Sequence, residues 1–412
     1  MEVLYPCCCG IDVHAKTVVA CLIRRGKKEV RTFSAMTDDL LRLSDWLTGA
    51  GCTHAAIEST GVYWKPVFNI LEGVLEVILV NARHVKAVPG RKTDVQDCEW
   101  LGDLPRPGLL GASLIPPPHI RALRELTRYR EGLVREQTSL AHRVQKLIEG
   151  ANIKLGQVAC DALGVSGRAL LRALASGETD AVALSELARR RLRRKKPELA
   201  RALQGRLTAV QRWVLSELLD RSEEVEAAID KAEAQIGQEV ERRPDPLLAE
   251  AIKLLDTIPG VGQTVAQTVA AEIGVDMSRF PSADHLASWA GMCPGNNESA
   301  GKRKRSKTTK GSRYLRAALV QSAWAASHQK ETYLAAQYQR LAKRLGRKKA
   351  LVAVGHSILV IVYHVLSQQV SYRELGGDYF DRRNAAERRR RLIHQLEALG
   401  LKVTVEEAGQ AA

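Results

Sequence analysis

Several signatures are missing from this 412-residue chain, and each absence closes off a class of function. Eight cysteines are present, yet none falls at the paired spacing of a zinc site, and a chain of this length needs no disulfide staples, so a reducing cytoplasm is the expected setting. Cys7, Cys8 and Cys9 are consecutive. On a strand their side chains alternate between opposite faces, which suits small apolar packing better than one metal. No GxxxxGK[ST] phosphate loop occurs, so no ATP site is expected. No charged and apolar signal region opens the chain. The most apolar late stretch, residues 351–366, carries His356 and His364 and is shorter than the ~20 residues of a membrane span; it reads as a buried helix, and no membrane partner is expected. Acidic charge is also in deficit, 46 Asp and Glu against 62 Lys and Arg. A net charge of +16 favours a polyanion, and nucleic acid fits better than membrane.

Against that background four acids stand out: Asp12 in GIDVHAK, Glu58 in AAIESTGVYW, and Asp94 with Asp97 in RKTDVQDCEWL. Asp12 and Glu58 each end an apolar run that reads as a strand, and strand ends are where open α/β sheets place sites. Asp94 and Asp97 are three apart in a stretch that reads as a helix, so their side chains leave one face. Carboxylates gathered at one point repel unless a hard cation neutralises them, which predicts a Mg²⁺ site. Two such ions about 4 Å apart clamp the attacking and leaving oxygens of a phosphoryl transfer.

The pattern along the chain predicts four regions: residues 1–115, 116–245, 246–370 and a basic tail, 371–412. The first reads as mixed α/β: strands over 8–14, 17–24 and 29–33, a helix over 38–48, a strand over 54–58, a helix over 63–71, a strand over 75–80 and a helix over 94–104. A first strand carrying an Asp, a hairpin behind it and a second acid on the next strand is the layout of ribonuclease H-like nucleases, an analogy of fold. In the second region Leu126, Leu133, Leu140 and Leu147 recur every seven residues, with Leu123, Tyr129 and Val144 in the seam. Leu207, Val210, Val214, Leu218, Val225, Ile229, Ile236 and Val240 mark a second long helix. The two are expected to pair as a hairpin or between subunits. Between them Arg189, Arg190, Arg191, Arg193, Arg194, Lys195 and Lys196 form a basic block, read either as a solvated face or as a segment that orders only against a phosphate backbone.

The third region opens with LLDTIPGVGQTVAQTVAAEIG, two helices joined by a tight turn at Gly260 and Gly262, which resembles the helix-hairpin-helix of DNA-binding proteins. A loop over 293–311 follows, rich in cations: Lys302, Arg303, Lys304, Arg305 and Lys310, then Arg313 opening a helix. With Lys92 beside the acids, these are the nucleic-acid-binding candidates. Ser299, Ser306, Thr308 and Ser312 read by themselves as phosphate-gripping hydroxyls, because no histidine in the loop supplies a base.

Together GIDVHAK, AAIESTGVYW, VPGRKTDVQDCEWL, the IPGVG turn, SAGKRKR and KGSRYLR resemble, in order and over nearly the whole chain, the transposases of insertion-sequence family one-ten, also called bridge recombinases. The resemblance implies a RuvC-like N-terminal domain with an Asp-Glu-Asp-Asp tetrad at Asp12, Glu58, Asp94 and Asp97. It also implies a C-terminal transposase domain whose serine, Ser299, attacks a DNA phosphate to form a phosphoserine link, with Ser306 the alternative if the frame slips. Donor and target DNA, and a structured guide RNA that pairs with both, are the implied partners; pairing would then specify while the protein grips phosphates. A homo-oligomer, dimer or tetramer, is expected; the long heptad helices leave open whether the acids and the serine of one site come from one subunit or from two. Pro105 and Pro107 depart from the family pattern and should end the acid-bearing helix by residue 104. The rival readings are a two-metal endonuclease or Holliday-junction resolvase in which water attacks, and a nucleic-acid-binding scaffold without chemistry.

Overall fold

The computed structural model describes residues 5–59, 61–80, 98, 115–159, 161–242, 246–294, 298–299, 302–303, 308–383 and 385–404. They fall into two compact units, Met1–Pro116 and Pro117–Ala412.

In the first unit β1 (Cys7–Val13), β2 (Thr17–Arg24) and β3 (Lys27–Ser34) form an antiparallel meander. Arg25 and Gly26, both at positive φ (49° and 80°), make the two-residue turn between β2 and β3, as the twist of a tight hairpin requires. Helix α1 (Thr37–Gly49) then leads to β4 (His54–Glu58), and α2 (Trp64–Leu71) to β5 (Glu76–Val80). β4 runs parallel to β1, and β5 parallel to β4, giving the order β3-β2-β1-β4-β5.

β1 is central and buried along its whole length, so its sequence is apolar without alternation. On one face Cys9, Ile11, Val13, Ala20, Leu22 and Ile57 pack under Leu40, Leu43 and Leu47 of α1 and Val67 and Leu71 of α2. On the other, Cys8, Val19, Cys21 and Ile23 enclose Cys98. The cysteine run thus divides between faces, as expected. Burial pushes the Cys9 thiol well up and the Cys52 thiol up to about 12, so both pack as neutral groups. β3 lies at one edge of this order, and its exposed Lys27, Lys28, Glu29 and Arg31 discourage pairing with another sheet.

The second unit begins with α3 (Pro118–Gly150), whose proline stands at the first turn, where no backbone donor is needed. Short helices α4 (Leu155–Val158), α5 (Val165–Ala175) and α6 (Ala181–Glu186), a 3₁₀ turn (Arg190–Lys195) and α7 (Lys196–Ala202) lead to α8 (Ala209–Arg242). α3 and α8 run antiparallel within the chain: Arg130 meets Glu233 (3.0 Å), Glu136 meets Arg221 (2.8 Å) and Gln137 meets Ser222 (3.0 Å). The hairpin alternative therefore holds for these helices. The seam differs in detail from the heptad reading. Tyr129 and Val210 are 59% and 71% exposed, while Thr127, Leu215 and Leu219 are buried. α8 packs against α5 as well as α3, so its buried stripe is wider than a two-helix seam, and a straight helix drifts from a strict seven-residue repeat.

The remainder is helical: α9 (Pro246–Asp256), α10 (Gln263–Ile273), α11 (Ala283–Trp289), the short hairpin β6 (Glu298–Ser299) and β7 (Lys302–Arg303), α12 (Arg313–Ser327), α13 (Tyr333–Leu345) and α14 (Arg347–Gln368). α15 (Tyr379–Arg383) and α16 (Ala385–Ala398) follow. α14 is apolar and long enough to cross a membrane by composition, but it packs against α11, α12 and α13 and buries Ile358, Leu359 and Val362, as a core helix does.

Leu215→Ala is expected to lower the free energy of unfolding by about 2–5 kcal/mol. Val210→Ala should change it by less than about 0.5 kcal/mol. Urea denaturation of both variants distinguishes this seam from the heptad one, which predicts the reverse order.

Candidate functional site

In the first unit the parallel register of β1 and β4 aligns two acids. Ile11 pairs with Ile57, and Asp12 and Glu58 each stand one residue beyond that pair. Side chains alternate along a strand, so both belong to the face that carries Cys8, opposite the α1 and α2 layer. Asp12 is 6% exposed and Glu58 is half-buried. His14 Nε2 lies 3.2 Å from Asp12 Oδ2. Asp94, Asp97 and Lys92 lie outside the described residues, as does the helix expected to end by residue 104. Cys98, the residue after Asp97, is fully buried on the Asp12 face. Its thiol is driven up by a hydrogen bond with Cys21, by burial, and by charges that include the Asp12 carboxylate.

In the second unit the PGVG turn joins α9 to α10. Gly260 has φ +85°, and a Cβ there would meet Ser322 O at 2.4 Å and Ala326 N at 2.7 Å. It is glycine because the turn lies directly on the α12 backbone. Gly262 is different: it precedes α10 at φ −89°, with nothing within 4 Å of a built Cβ. Phosphate approach is thus open at Gly262, while Gly260 faces its own protein.

The basic loop is closed at its base. Gly291 and Gly311 approach so closely that a Cβ on either would overlap the other's backbone neighbours. Pro294 bridges Thr308, and Arg316 Nη2 donates to Thr309 O (2.9 Å) and to Gly291 O. Above this base β6 and β7 pair antiparallel, Glu298 with Arg303 and Ser299 with Lys302. Ser299 is thus the last residue of β6. Lys304, Arg305 and Ser306 lie outside the described residues. Lys310 is exposed, and the Arg313 guanidinium lies 4.7 Å from the Tyr314 ring centre and donates to its hydroxyl at 2.7 Å.

Ser312 is a structural residue. Its hydroxyl caps α12, accepting from Leu315 N (3.3 Å), and donates to Glu272 Oε2 (2.9 Å). Glu272, 1% exposed, also takes a two-pronged bond from Arg128 of α3 (2.7 and 2.9 Å). Burial opposes the Arg128 charge, but the Glu272 bond and the negative charges around it together outweigh burial and hold the guanidinium pKa above its usual value. Arg124, one turn earlier, donates to the end carbonyls of α10 at Ala271 and Glu272 (both 2.8 Å). One buried carboxylate thereby ties the long helix, the hairpin helix and the exit of the basic loop together.

The basic block forms the 3₁₀ turn Arg190–Lys195 and the start of α7. Leu192 and Leu199 anchor it in the hydrophobic core, Lys196 pairs with Glu186, and Arg190, Arg191, Arg193, Arg194 and Lys195 remain exposed, with Arg189 N bonded to Ser166 Oγ at 2.9 Å. Its interspersed leucines supply burial beneath an exposed basic face.

Residues 252–339 match the family model described as "Transposase IS116/IS110/IS902 family". Residues 9–153 match a second model, that of the IS110-type DEDD transposase domain, described as "Transposase". The chain belongs to the IS110 transposase family. Two proteins named pilin gene-inverting protein, from Moraxella bovis and Moraxella lacunata, are each 24% identical over 376 residues, covering 87% of this chain and 95% of theirs. The transposase models span all four acids in one match and the PGVG turn, Ser299 and Arg313 in the other; the basic block and residues beyond 339 fall outside both. The family supports DNA as the transposase substrate and transposition or recombination as its activity.

Sequence reasoning passed over Glu272, Arg316 and His14. Glu272 left a signal, a lone acid inside the apolar run TVAQTVAAEIG. Arg316 left none, being one of several cations after the loop. Gly260→Ala is expected to destabilise the transposase by about 1–3 kcal/mol through overpacking, even without DNA. Gly262→Ala should leave thermal stability within about 0.5 kcal/mol. Equal melting temperatures for the two variants would contradict the packing role of Gly260.

Proposed function

We propose that this transposase is a Mg²⁺-dependent, RNA-guided DNA recombinase in which Asp12, Glu58, Asp94 and Asp97 hold the metal and Ser299 is the nucleophile. The observation that carries the metal half is the placement of a buried carboxylate, Asp12, one register step past Ile11↔Ile57 beside Glu58 on the adjacent parallel strand. The strand order, with an antiparallel meander followed by parallel β4 and β5, agrees with a ribonuclease H-like domain. The donors are hard oxygens, which suit Mg²⁺, and the residue after Asp97 is buried on the same face as Asp12. Asp12, Glu58, Asp94 and Asp97 would hold Mg²⁺, which would neutralise their charge and supply stabilisation of negative charge on the phosphoryl oxygens.

The chain's own groups do the rest. His14 holds the Asp12 carboxylate in orientation. Arg316 and the Gly291–Gly311 contact fix the loop base, so the β6–β7 hairpin presents Ser299 from a closed stem. Ser299 Oγ forms a bond to phosphorus as a deoxyribose oxygen leaves with a proton; attack by another strand's hydroxyl on the phosphoserine restores the serine and rejoins DNA. The relatives are named for inverting a gene, and inversion requires rejoining without loss. A covalent link conserves the bond energy for that purpose, whereas attack by water does not. The guide RNA is what the resemblance to the family implies, and the net charge of +16 suits a protein that grips phosphates while pairing supplies sequence choice. A homo-oligomer completes the proposal, although α3 and α8 pair within one chain and so are not its coiled-coil seam.

Incubation with element-end DNA and Mg²⁺ is expected to give a protein–DNA adduct that survives denaturation. Ser299→Ala should abolish it and lower strand exchange by at least about 10³-fold, the scale of nucleophile removal. Adduct in that variant, or cleavage without adduct in the parent, would sink the serine and favour the water-using endonuclease. Asp12→Asn should slow cleavage by about 10²- to 10⁴-fold, corresponding to the loss of several kcal/mol of charge stabilisation. Unchanged cleavage removes the metal assignment.

A further inference from the structure

Several arginines of α3, α5 and α8 are neutralised within the chain: Arg130 by Glu233, Arg172 by Asp220 and Glu223, Arg221 by Glu136 and Glu224. The C-terminal part of the same unit does the opposite. A cleft of about 1060 Å³ is lined by Arg340 and Lys343 of α13 and by Arg390, Arg391 and His394 of α16. Among the described residues, Arg340, Lys343, Arg390 and Arg391 have no ion pair. Asp381 is the acid on the cleft wall.

The wall is built, not loose. The Arg340 guanidinium lies over the Phe380 ring at 5.1 Å, and Phe380 stacks on Tyr333 (5.3 Å, 21°) with Tyr379 edge-on to both. The segment leading in is tied down: Tyr372 N donates to Thr257 Oγ1 (2.9 Å), and Glu374 Oε1 accepts from Tyr333 N (2.7 Å) and Gly376 N (2.8 Å). Tyr379 packs against Tyr333 and Phe380.

We propose that this cleft binds the phosphodiester backbone of a duplex nucleic acid, as a site separate from the serine loop. Like charges converging from two helices repel, and a ligand of repeating negative charge relieves that repulsion along its length where a single small anion cannot. Guanidinium groups match phosphate oxygens in pairs. A base-stacking role is disfavoured, because the Phe380 faces are engaged by Tyr333 and Arg340; the cleft grips backbone and is indifferent to sequence. Its cationic residues lie beyond the last family-matched position, residue 339, and the inference is independent of the metal and serine assignments.

The test uses the full chain with a 20-base-pair DNA duplex and an RNA duplex of equal length, measuring affinity across a salt series. Arg390→Ala with Arg391→Ala is expected to reduce the slope of log affinity against log salt by about 2, near 0.9 per lost phosphate contact. Arg340→Ala with Lys343→Ala should do the same, and Arg390→Lys with Arg391→Lys should preserve the slope. Lys27→Ala with Lys28→Ala, which removes equal charge from the first unit, should also preserve it. A change with DNA alone, RNA alone or both supports the cleft and assigns its source. An unchanged slope for both duplexes in both cleft variants, or an equal fall in the Lys27 and Lys28 control, overturns it.

Discussion

The parallel pairing of β4 with β1 is the contact on which the first unit depends. Ile11 against Ile57 sets the register, and with it the positions of Asp12 and Glu58 at the same end of adjacent strands. A slip of one residue would send every β4 side chain to the opposite face. Ala55 and Ile57 would leave the core under α1 and α2, and Glu58 would enter it. The cost of burying that carboxylate and exposing those apolar groups is what keeps the acids together. The hydrophobic core thus fixes a polar site it does not itself contain.

The second unit is organised by the opposite kind of contact, a buried charge. Glu272 is acceptable inside the protein because Arg128 and Ser312 satisfy its oxygens, and Arg124 satisfies the neighbouring carbonyls. Removing any one partner leaves a costly group behind, so the arrangement specifies a geometry: α3, α10 and the start of α12 meet in one way. The loop that ends at Gly311 therefore leaves from a fixed point. Elsewhere in the unit charge is handled in two modes, paired internally between α3 and α8 and, among the described residues, left without ion pairs at Arg340, Lys343, Arg390 and Arg391 of the α13–α16 cleft. The second mode is the one a polyanionic substrate can use.

Much of the first unit was legible because strand and helix periods differ and each element is short. The expected strand over 17–24 and the strand over 54–58 agree with β2 and β4, and the helix over 38–48 is α1 short by a residue at each end. The long helices were legible as helices but not in their packing: Tyr129 and Val210 fit the repeat and stand in solvent. A repeat describes one seam, and α8 has two neighbours. Ser312 and Gly260 illustrate the same gap at the site. Each has the right chemistry to hold a phosphate, and each is occupied by its own protein, Ser312 by Glu272 and Gly260 by the α12 backbone.

By itself the sequence determined the residue types, their order and the periodic elements that carry them, because backbone propensity and amphipathic spacing are local properties. It therefore determined that Asp12 and Glu58 end strands, that the chain is rich in cations and that a serine sits among them. Which of those cations are neutralised internally, which glycine faces solvent and which acid is buried were decided by the tertiary structure alone. Those outcomes depend on contacts between residues far apart in the chain, such as Arg128 with Glu272 and Arg340 with Phe380, and burial and pairing are properties of such contacts.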